Sequence, residues 1–411
     1  MKQSFFFLLI GLLTSQTFFA QNQKDQLQQL RVDVVYLASD YLEGREAGTA
    51  GERLAADYIV KRFQEMGLQP AGSNGSWFQS FDFTFKPNPR SEEAGESRTG
   101  KNIAGFIDNG AAHTVVIGAH YDHLGMGAFS SRSTAGSAIH NGADDNASGV
   151  AAMLRLAAYF AEGAAKSNNY LFLAFSAEEL GLYGSKHFAE NPTVELGKVN
   201  YMLNLDMVGR LNQEKSLAIN GVGTSSAWKA ALETIEVGGI QAVMSESGVG
   251  PSDHTSFYLQ DIPVLHFFTG QHEEYHKPED DAHLINFNGI LDITNYIIAL
   301  VDNLDTDGKI AFVKTQDEQE TPRRASYKVT LGVMPDYVYS GKGMRIDGVM
   351  AGRAADNAGM LKGDVILKIG DTDVADIYGY MDGLSKFNQG DKVVVVFKRG
   401  EETIEKEVTF N

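Results

Sequence analysis

The sequence predicts an α/β domain, with helices on both faces of a β-sheet, followed by a small β-rich domain. Short apolar runs at 114–119, 170–175, 201–205 and 262–268 alternate with segments of helical periodicity. Such alternation is typical of a sheet that helices cover on both faces. A polar stretch at 305–326 then separates this part from a glycine-rich region with strand-like runs. Two domains are therefore expected in a chain of 411 residues.

The first segment, residues 1–20, is predicted to be a secretory signal peptide. Lys2 precedes an apolar run from Phe5 to Leu13, which is too short to span a bilayer. Ala20 is a small residue in front of a polar stretch, so we expect cleavage near it. A retained membrane anchor is the alternative. The mature protein is therefore expected to be exported, as a periplasmic or secreted protein without a membrane span.

Residues 21–304 are predicted to form the larger domain. Apolar residues recur at helical spacing between about 25 and 70, and Gly67 is predicted to end the second helix there. The polar residues 87–100 are predicted to form a surface loop. Further helices are expected at 148–160, 227–236 and 287–303.

The composition limits the class of protein. A hydrophobic fraction of 43% and a charged fraction of 21% are those of a globular protein. The net charge of −18 argues against nucleic acid or an anionic membrane as a partner, because both attract clustered Lys and Arg. The absence of cysteine from the sequence excludes disulfides, zinc sites with sulfur ligands and a cysteine nucleophile.

Residue types that bind metals follow the apolar runs at five places. The segments are GAHYDHLG, HNGADDNASGVA, AFSAEELGLYGS, MLNLDMVGR and EYHKPEDDAH. Open α/β sheets bind ligands beyond the carboxyl ends of their strands, so these residues are expected to converge. Each segment alone has an ordinary explanation, such as helix capping for Asp144 and Asp145 or a helix N-terminus for Glu178 and Glu179.

The candidate ligands in the five segments are two histidines and three carboxylates, with one spare carboxylate, which is the inventory of a two-metal hydrolase. Nitrogen and oxygen ligands without sulfur suit zinc, with cobalt or manganese as alternatives. Paired metal ions polarise a carbonyl group and activate water near neutral pH. A carboxylate beyond those that hold metal can carry the proton from water to the leaving amine.

In this order and spacing, the five segments resemble the di-zinc aminopeptidase family, which includes relatives of glutamate carboxypeptidase and glutaminyl cyclase. The resemblance covers residues from about 30 to 300 and includes SDYLEGREAGTAGERLAADYIVKRFQEMGLQPAG near the start. It implies a mixed β-sheet between helices and two zinc ions. It also implies the residues that hold these ions: His120, Asp144, Glu179, Asp206 and His276.

The same resemblance implies a role for each residue. Asp144 would bridge both ions, with a cis peptide bond between it and Asp145. Glu179 and His276 would complete one site, and His120 and Asp206 the other.

Three further residues receive roles from the resemblance. Glu178 would act as the general base and then as the acid, and Asp122 would orient His120. Tyr275 would stabilise the tetrahedral oxyanion, a role that suits a phenol O–H donor. Ordinary packing is the alternative for Tyr275.

The C-terminal region, residues 327–411, resembles a PDZ domain. The resemblance rests on VTLGVMPDYV and on GRAADNAGMLKGDVI. It implies that backbone N–H groups near 331–334 bind a peptide carboxylate and that the peptide adds as a strand. A structural module without a ligand is the alternative.

The sequence thus predicts a zinc-dependent aminopeptidase that acts on peptides with a free N-terminus. A glutaminyl cyclase on the same fold is one alternative, and the Asp144–Asp145 pair argues against it. A carboxypeptidase is a second alternative that the sequence leaves open. An inactive protein that presents its PDZ domain is a third, but it predicts a lost ligand or base, and none is missing.

Overall fold

The computed structural model describes residues 23–86, 94–134, 136–305, 308–315, 329–336, 339, 341–350 and 352–410. The predicted signal peptide lies outside these residues. Among the helices within these ranges, none is both long enough and apolar enough to cross a membrane.

A nine-stranded mixed sheet forms the centre of the first domain. Its strands are β1 (Gln69–Pro70), β2 (Phe78–Phe85), β3 (Glu96–Ile107), β4 (His113–His120), β5 (Asn168–Phe175), β6 (Val199–Leu205), β7 (Ser216–Asn220), β8 (Gln241–Ser245) and β9 (Val264–Phe268). The order is β1-β3-β5-β4-β6-β9-β7-β8, and β2 pairs with β3. Strands β5, β4, β6 and β9 are parallel, whereas β3 and β7 run antiparallel to their neighbours β5 and β9.

Helices cover both faces of this sheet. They are α1 (residues 23–37), α2 (Ala50–Glu65), α3 (Gly149–Ala161), α4 (Tyr183–Glu190), α5 (Ser226–Leu232), α6 (His254–Tyr258) and α7 (Phe287–Leu304). Short helical turns span Asp40–Arg45, Ser73–Gly75, Ala143–Ser148, Leu196–Lys198, Val222–Thr224 and Ala282–Leu284.

Alternate residues of β4 pack into different cores. Val115 and Ile117 join the core formed with α1, α2, α3 and α7, whereas Val116 joins the core formed with α4 and α6. Successive side chains of a strand point to opposite faces, so each face is buried under its own helices. The predicted fold class is confirmed.

The sequence prediction missed parts of this sheet. Strand β3 begins at Glu96, so the loop predicted for 87–100 is wrong from that residue onward. Residues 96–98 are exposed or half-buried and pair with β2, where Phe85 lies opposite Glu96. A strand with a solvent-exposed face tolerates polar residues, which explains its loop-like composition.

Part of the stretch predicted as a linker packs on the first domain. The Asn200 side chain donates to the Gly308 carbonyl and accepts from the Ile310 backbone N–H, each at 2.8 Å. The Thr315 backbone N–H donates to the Tyr258 hydroxyl at 2.9 Å. Residues 308–315 therefore extend the first domain beyond the boundary proposed from composition.

The second domain has its own sheet and core. Its strands are β10 (Val333–Pro335), β11 (Met344–Val349), β12 (Val365–Ile369), β13 (Thr372–Asp373), β14 (Lys392–Arg399) and β15 (Glu402–Thr409), with helices α8 (Ala354–Asn357) and α9 (Ile377–Ser385). The order is β10-β11-β12-β14-β15, and β13 pairs with β12. Leu331, Ile346, Ile366 and Val395 are fully buried in this core.

Candidate active site

The predicted site residues meet at one edge of the central sheet. His120 is the last residue of β4 and lies opposite Phe175, the last residue of β5. Glu179 follows β5 and Asp206 follows β6, while His276 lies in the loop after β9. Because these four strands are parallel, their carboxyl ends bring the side chains together.

Asp145 lies at the centre of the cluster. Its Oδ1 atom is 3.3 Å from His120 Nε2, and its Oδ2 atom is 3.2 Å from His276 Nε2. His120 Nε2 is also 3.4 Å from Asp206 Oδ1, and His276 Nε2 is 3.2 Å from Glu179 Oε2. The carboxylate of Asp145, which is 3% exposed, therefore faces two His–acid pairs at once.

Asp144 does not occupy the central position predicted for it from the sequence. Its Oδ1 atom accepts hydrogen bonds from the Gly209 backbone N–H at 2.6 Å and from the Ser148 hydroxyl at 2.9 Å. Its Oδ2 atom lies 3.2 Å from His272 Nε2. The predicted cis peptide bond is also displaced by one residue, because it joins Asp145 to Asn146.

Backbone contacts decide which of the two aspartates faces the cluster. The buried carboxylate of Asp280 accepts from the N–H groups of Asp144 and Asp145 at 3.0–3.1 Å, which holds the intervening peptide in place. Gly142 precedes them with φ of +54°, and a Cβ there would lie 2.1 Å from the Asp145 carbonyl oxygen and 2.5 Å from the His123 ring. The turn therefore requires glycine at this position.

His123 joins the cluster, although the sequence analysis did not single it out. Its Nδ1 atom is 2.8 Å from Glu179 Oε1 and 3.8 Å from Asp145 Oδ2. His123 is the second histidine of the GAHYDHLG segment. Its position three residues after His120 was the only sequence feature that could have indicated it.

Main-chain carbonyls orient the two central histidines. His120 Nδ1 lies 3.2 Å from the Asp122 carbonyl oxygen, and His276 Nδ1 lies 3.0 Å from the Ser130 carbonyl oxygen. An Nδ1–H that donates to a carbonyl leaves Nε2 unprotonated, the form that binds a metal. The Asp122 carboxylate is farther from His120 Nδ1, at 3.7 Å, and accepts instead from the Glu178 backbone N–H at 3.1 Å.

Glu178 and Tyr275 lie beside the cluster. Burial raises the pKa of the Glu178 carboxyl well above its ordinary value, and the charge of Asp253 adds to this effect, while His120 opposes it. The Tyr275 ring stacks on His276 with ring centroids 3.8 Å apart, and burial raises the pKa of its phenol. Both residues therefore interact with side chains of the cluster.

The buried cluster fits divalent metal ions. Two sets of side chains bring their donor atoms close enough to share an ion: His120, Asp145 and Asp206, and His123, Asp145 and Glu179. The Nε2 atom of His276 is buried without a hydrogen-bond partner. Buried carboxylates are costly unless cations compensate them, and nitrogen and oxygen donors without sulfur suit zinc.

Comparison with known proteins finds matches to two family models and to several relatives. Residues 102–301 match the model of peptidase family M28, and residues 312–410 match that of the PDZ domain. Aminopeptidase YwaD from Bacillus subtilis is 31% identical over 182 residues, which cover 42% of this chain and 37% of the relative. The chain thus spans well under two thirds of the length of that relative.

Solved structures share the fold of the first domain. A zinc aminopeptidase from Bacillus subtilis has a TM-score of 0.51 and 20% identity, over 67% of this chain and 94% of the other. Glutaminyl cyclase from Porphyromonas gingivalis has a TM-score of 0.54 and 18% identity, over 67% and 97%. The first domain therefore has the fold of these structures, and the chain matches peptidase family M28 over residues 102–301 and the PDZ domain over residues 312–410.

Proposed function

We propose that the first domain is a zinc-dependent aminopeptidase with two zinc ions that share Asp145. His120 and Asp206 complete one site, and Glu179 and His276 complete the other. The observation that carries this proposal is the position of the Asp145 carboxylate, whose two oxygens face different histidines at 3.3 and 3.2 Å. Relatives named as aminopeptidases support the choice of an N-terminal exopeptidase.

Different groups at the cluster would carry out different parts of the reaction. Zinc held by these residues would supply Lewis acidity to the scissile carbonyl group and to the attacking water. The Glu178 carboxylate takes the proton from the attacking water and gives it to the leaving amine nitrogen. The Tyr275 hydroxyl donates a hydrogen bond to the carbonyl oxygen as negative charge develops on it.

His123 and Asp122 would support the reaction indirectly, because each holds another residue of the site in position. His123 holds the Glu179 carboxylate by its Nδ1 contact at 2.8 Å, which fixes the orientation of a metal-binding side chain. Asp122 binds the Glu178 backbone N–H and so fixes the segment that carries the base. Neither residue needs to touch the substrate.

The proposal extends to the place where the protein works and to its second domain. The apolar N-terminal segment supports export through a signal peptide, to the periplasm or the medium. The PDZ domain is proposed to bind an extended peptide end beside β10, as PDZ domains generally do. Peptides with a free N-terminus are the proposed substrates.

A panel of dipeptides tests the proposed reaction. The zinc-loaded full-length mature chain is incubated with free dipeptides, their N-acetylated forms and peptides with N-terminal glutamine. An aminopeptidase releases amino acids from the free dipeptides and leaves the N-acetylated set intact. Cleavage of the N-acetylated set would indicate a carboxypeptidase, and cyclisation of the glutamine peptides without hydrolysis would indicate a glutaminyl cyclase.

A further inference from the structure

A buried arginine lies behind the proposed metal centre. Arg45 belongs to the SDYLEGREAG segment, which precedes the part of the chain that matches the family model. It is 1% exposed and is among the largest fully buried side chains of the protein. The proposed reaction does not use it, so its burial needs another explanation.

The guanidinium group binds four main-chain carbonyl oxygens in three segments. It donates to the carbonyls of Tyr121 at 2.8 Å, Asn141 at 2.7 Å and Gly142 at 3.0 Å, and also to that of Leu37. The planar guanidinium presents five N–H donors in a fixed arrangement. A lysine, with three donors on a flexible stem, cannot reproduce these four bonds together.

These carbonyls belong to the segments that carry the central residues of the cluster. Tyr121 lies between His120, at the end of β4, and Asp122. Asn141 and Gly142 lead directly into the turn that presents Asp145. A single side chain therefore ties the strand end to the loop of the proposed bridging residue.

The backbone around Arg45 adds to this connection. The Arg45 carbonyl accepts from the His123 N–H at 3.2 Å, and the Gly44 carbonyl accepts from the Gly125 N–H at 3.0 Å. Glu46 and His123 form a parallel bridge. The turn Asp40–Arg45 is thus paired with the segment that follows β4.

The charge of Arg45 suits its surroundings. Burial lowers the pKa of its guanidinium to about 10, while Asp122 and Asp145 oppose this effect through their negative charges. The group is therefore protonated at neutral pH. A buried cation near several carboxylates reduces the repulsion among them.

We infer that Arg45 is a positioning residue for the metal centre, which holds the His120 segment and the Asp145 turn in the relative position that two zinc ions require. The inference rests on the proposed function, because it assumes that the cluster binds zinc. It assigns a task at the metal centre to the N-terminal segment, which lies outside the region matched by the family model.

Substitution of Arg45 by lysine tests this inference against a matched control. Arg155 is a partly buried arginine, and it binds the side chains of Gln26 and Asn295 rather than any segment that carries a proposed metal ligand. We expect Arg45→Lys to weaken zinc binding by about 10–100-fold, the range typical of residues that support metal ligands. Arg155→Lys should leave zinc affinity unchanged, even where it lowers the melting temperature.

Zinc affinity is measured by competition with a chromophoric chelator, and folding of each metal-free variant by near-ultraviolet circular dichroism. Arg45→Lys that folds and binds zinc with wild-type affinity would overturn the inference. Equal losses of zinc affinity in Arg45→Lys and Arg155→Lys would also overturn the inference, because they would show that lower stability of the fold alone weakens zinc binding. A wild-type protein that binds no zinc would overturn the proposed function and the inference with it.

Hydrogen exchange of the wild-type protein provides a test that does not depend on the folding of a variant. If Arg45 couples the two segments, zinc should slow exchange of the His123 and Gly125 amides together with those of Asp144 and Asp145. Protection confined to Asp144 and Asp145 would contradict the coupling.

Discussion

Replacing Asp145 with Asn should remove zinc from both halves of the proposed centre, whereas Asp144→Asn should weaken binding only moderately. The two residues are adjacent and chemically identical, so each variant is the control for the other. Their surroundings differ, because Asp145 faces His120 and His276 while Asp144 binds Gly209 and Ser148.

The size of each effect follows from these contacts. Asp144 touches the proposed ligands only through the turn that it stabilises, so its loss should lower zinc affinity by about 10–100-fold. That range corresponds to ~1.4–2.7 kcal/mol of binding free energy. Asp145 contacts both His–acid pairs, so its loss should exceed ~100-fold and affect both ions.

Zinc content after dialysis, measured by elemental analysis, distinguishes the two aspartates. The wild type should retain two zinc ions per chain, Asp144→Asn should be refilled at higher free zinc, and Asp145→Asn should not. The reasoning would be refuted by the opposite pattern, with two tightly bound ions in Asp145→Asn and none in Asp144→Asn. That outcome would restore the bridging role that the sequence predicts for Asp144.

Three other variants test further parts of the structure. Glu178→Gln should lower kcat by ~10²–10⁴-fold with unchanged zinc content, because it removes the proton carrier but no proposed ligand; near-normal turnover would exclude that role. Burial raises the pKa of Glu52 from 4.5 to about 7, so between these pH values the folded state keeps a proton that the unfolded state releases. The free energy of unfolding should therefore fall by up to ~3 kcal/mol as the pH rises from 4.5 to about 7. Urea unfolding in the presence of a chelator at pH 5 and pH 8 should show that the free energy of unfolding depends less on pH in Glu52→Gln than in the wild type. An equal pH dependence in both proteins would contradict the raised pKa of Glu52. Deleting residues 321–411 should leave the rate of hydrolysis of a small amino-acid amide within about twofold of wild type, since the PDZ core is separate from that of the first domain. A large loss of this activity in a folded, zinc-loaded truncated protein would show that the PDZ domain contributes to the active site.

The sequence was sufficient to predict the fold class and the segments that meet at the candidate site. Apolar runs that end at His120, Phe175 and Leu205 became parallel strands, because long β-branched and aromatic runs are stable only when buried on both faces. The sequence analysis did not predict strands β7 and β8, because each is only five residues long and shows little alternation of apolar and polar residues.

The position of individual side chains within the site was harder to predict. Which of two neighbouring aspartates faces the cluster depends on the turn that Gly142 and Asp280 impose, and Asp280 lies 135 residues after Asp145. Arg45 gave no indication of its contacts, because its partners are main-chain carbonyls that any sequence supplies. Interactions of this kind become visible only in three dimensions.

The hydrogen bonds from Asp144 and Asp145 to Asp280 have a consequence for the order of events during synthesis. The N-terminal part of the site, including Arg45, leaves the ribosome long before Asp280 and His276 do. Contacts so distant in sequence form late, and a metal site is rarely preformed in an incompletely folded chain. If the proposed function is right, a nascent chain would therefore lack a complete metal centre and would become active only when nearly the whole first domain has been made.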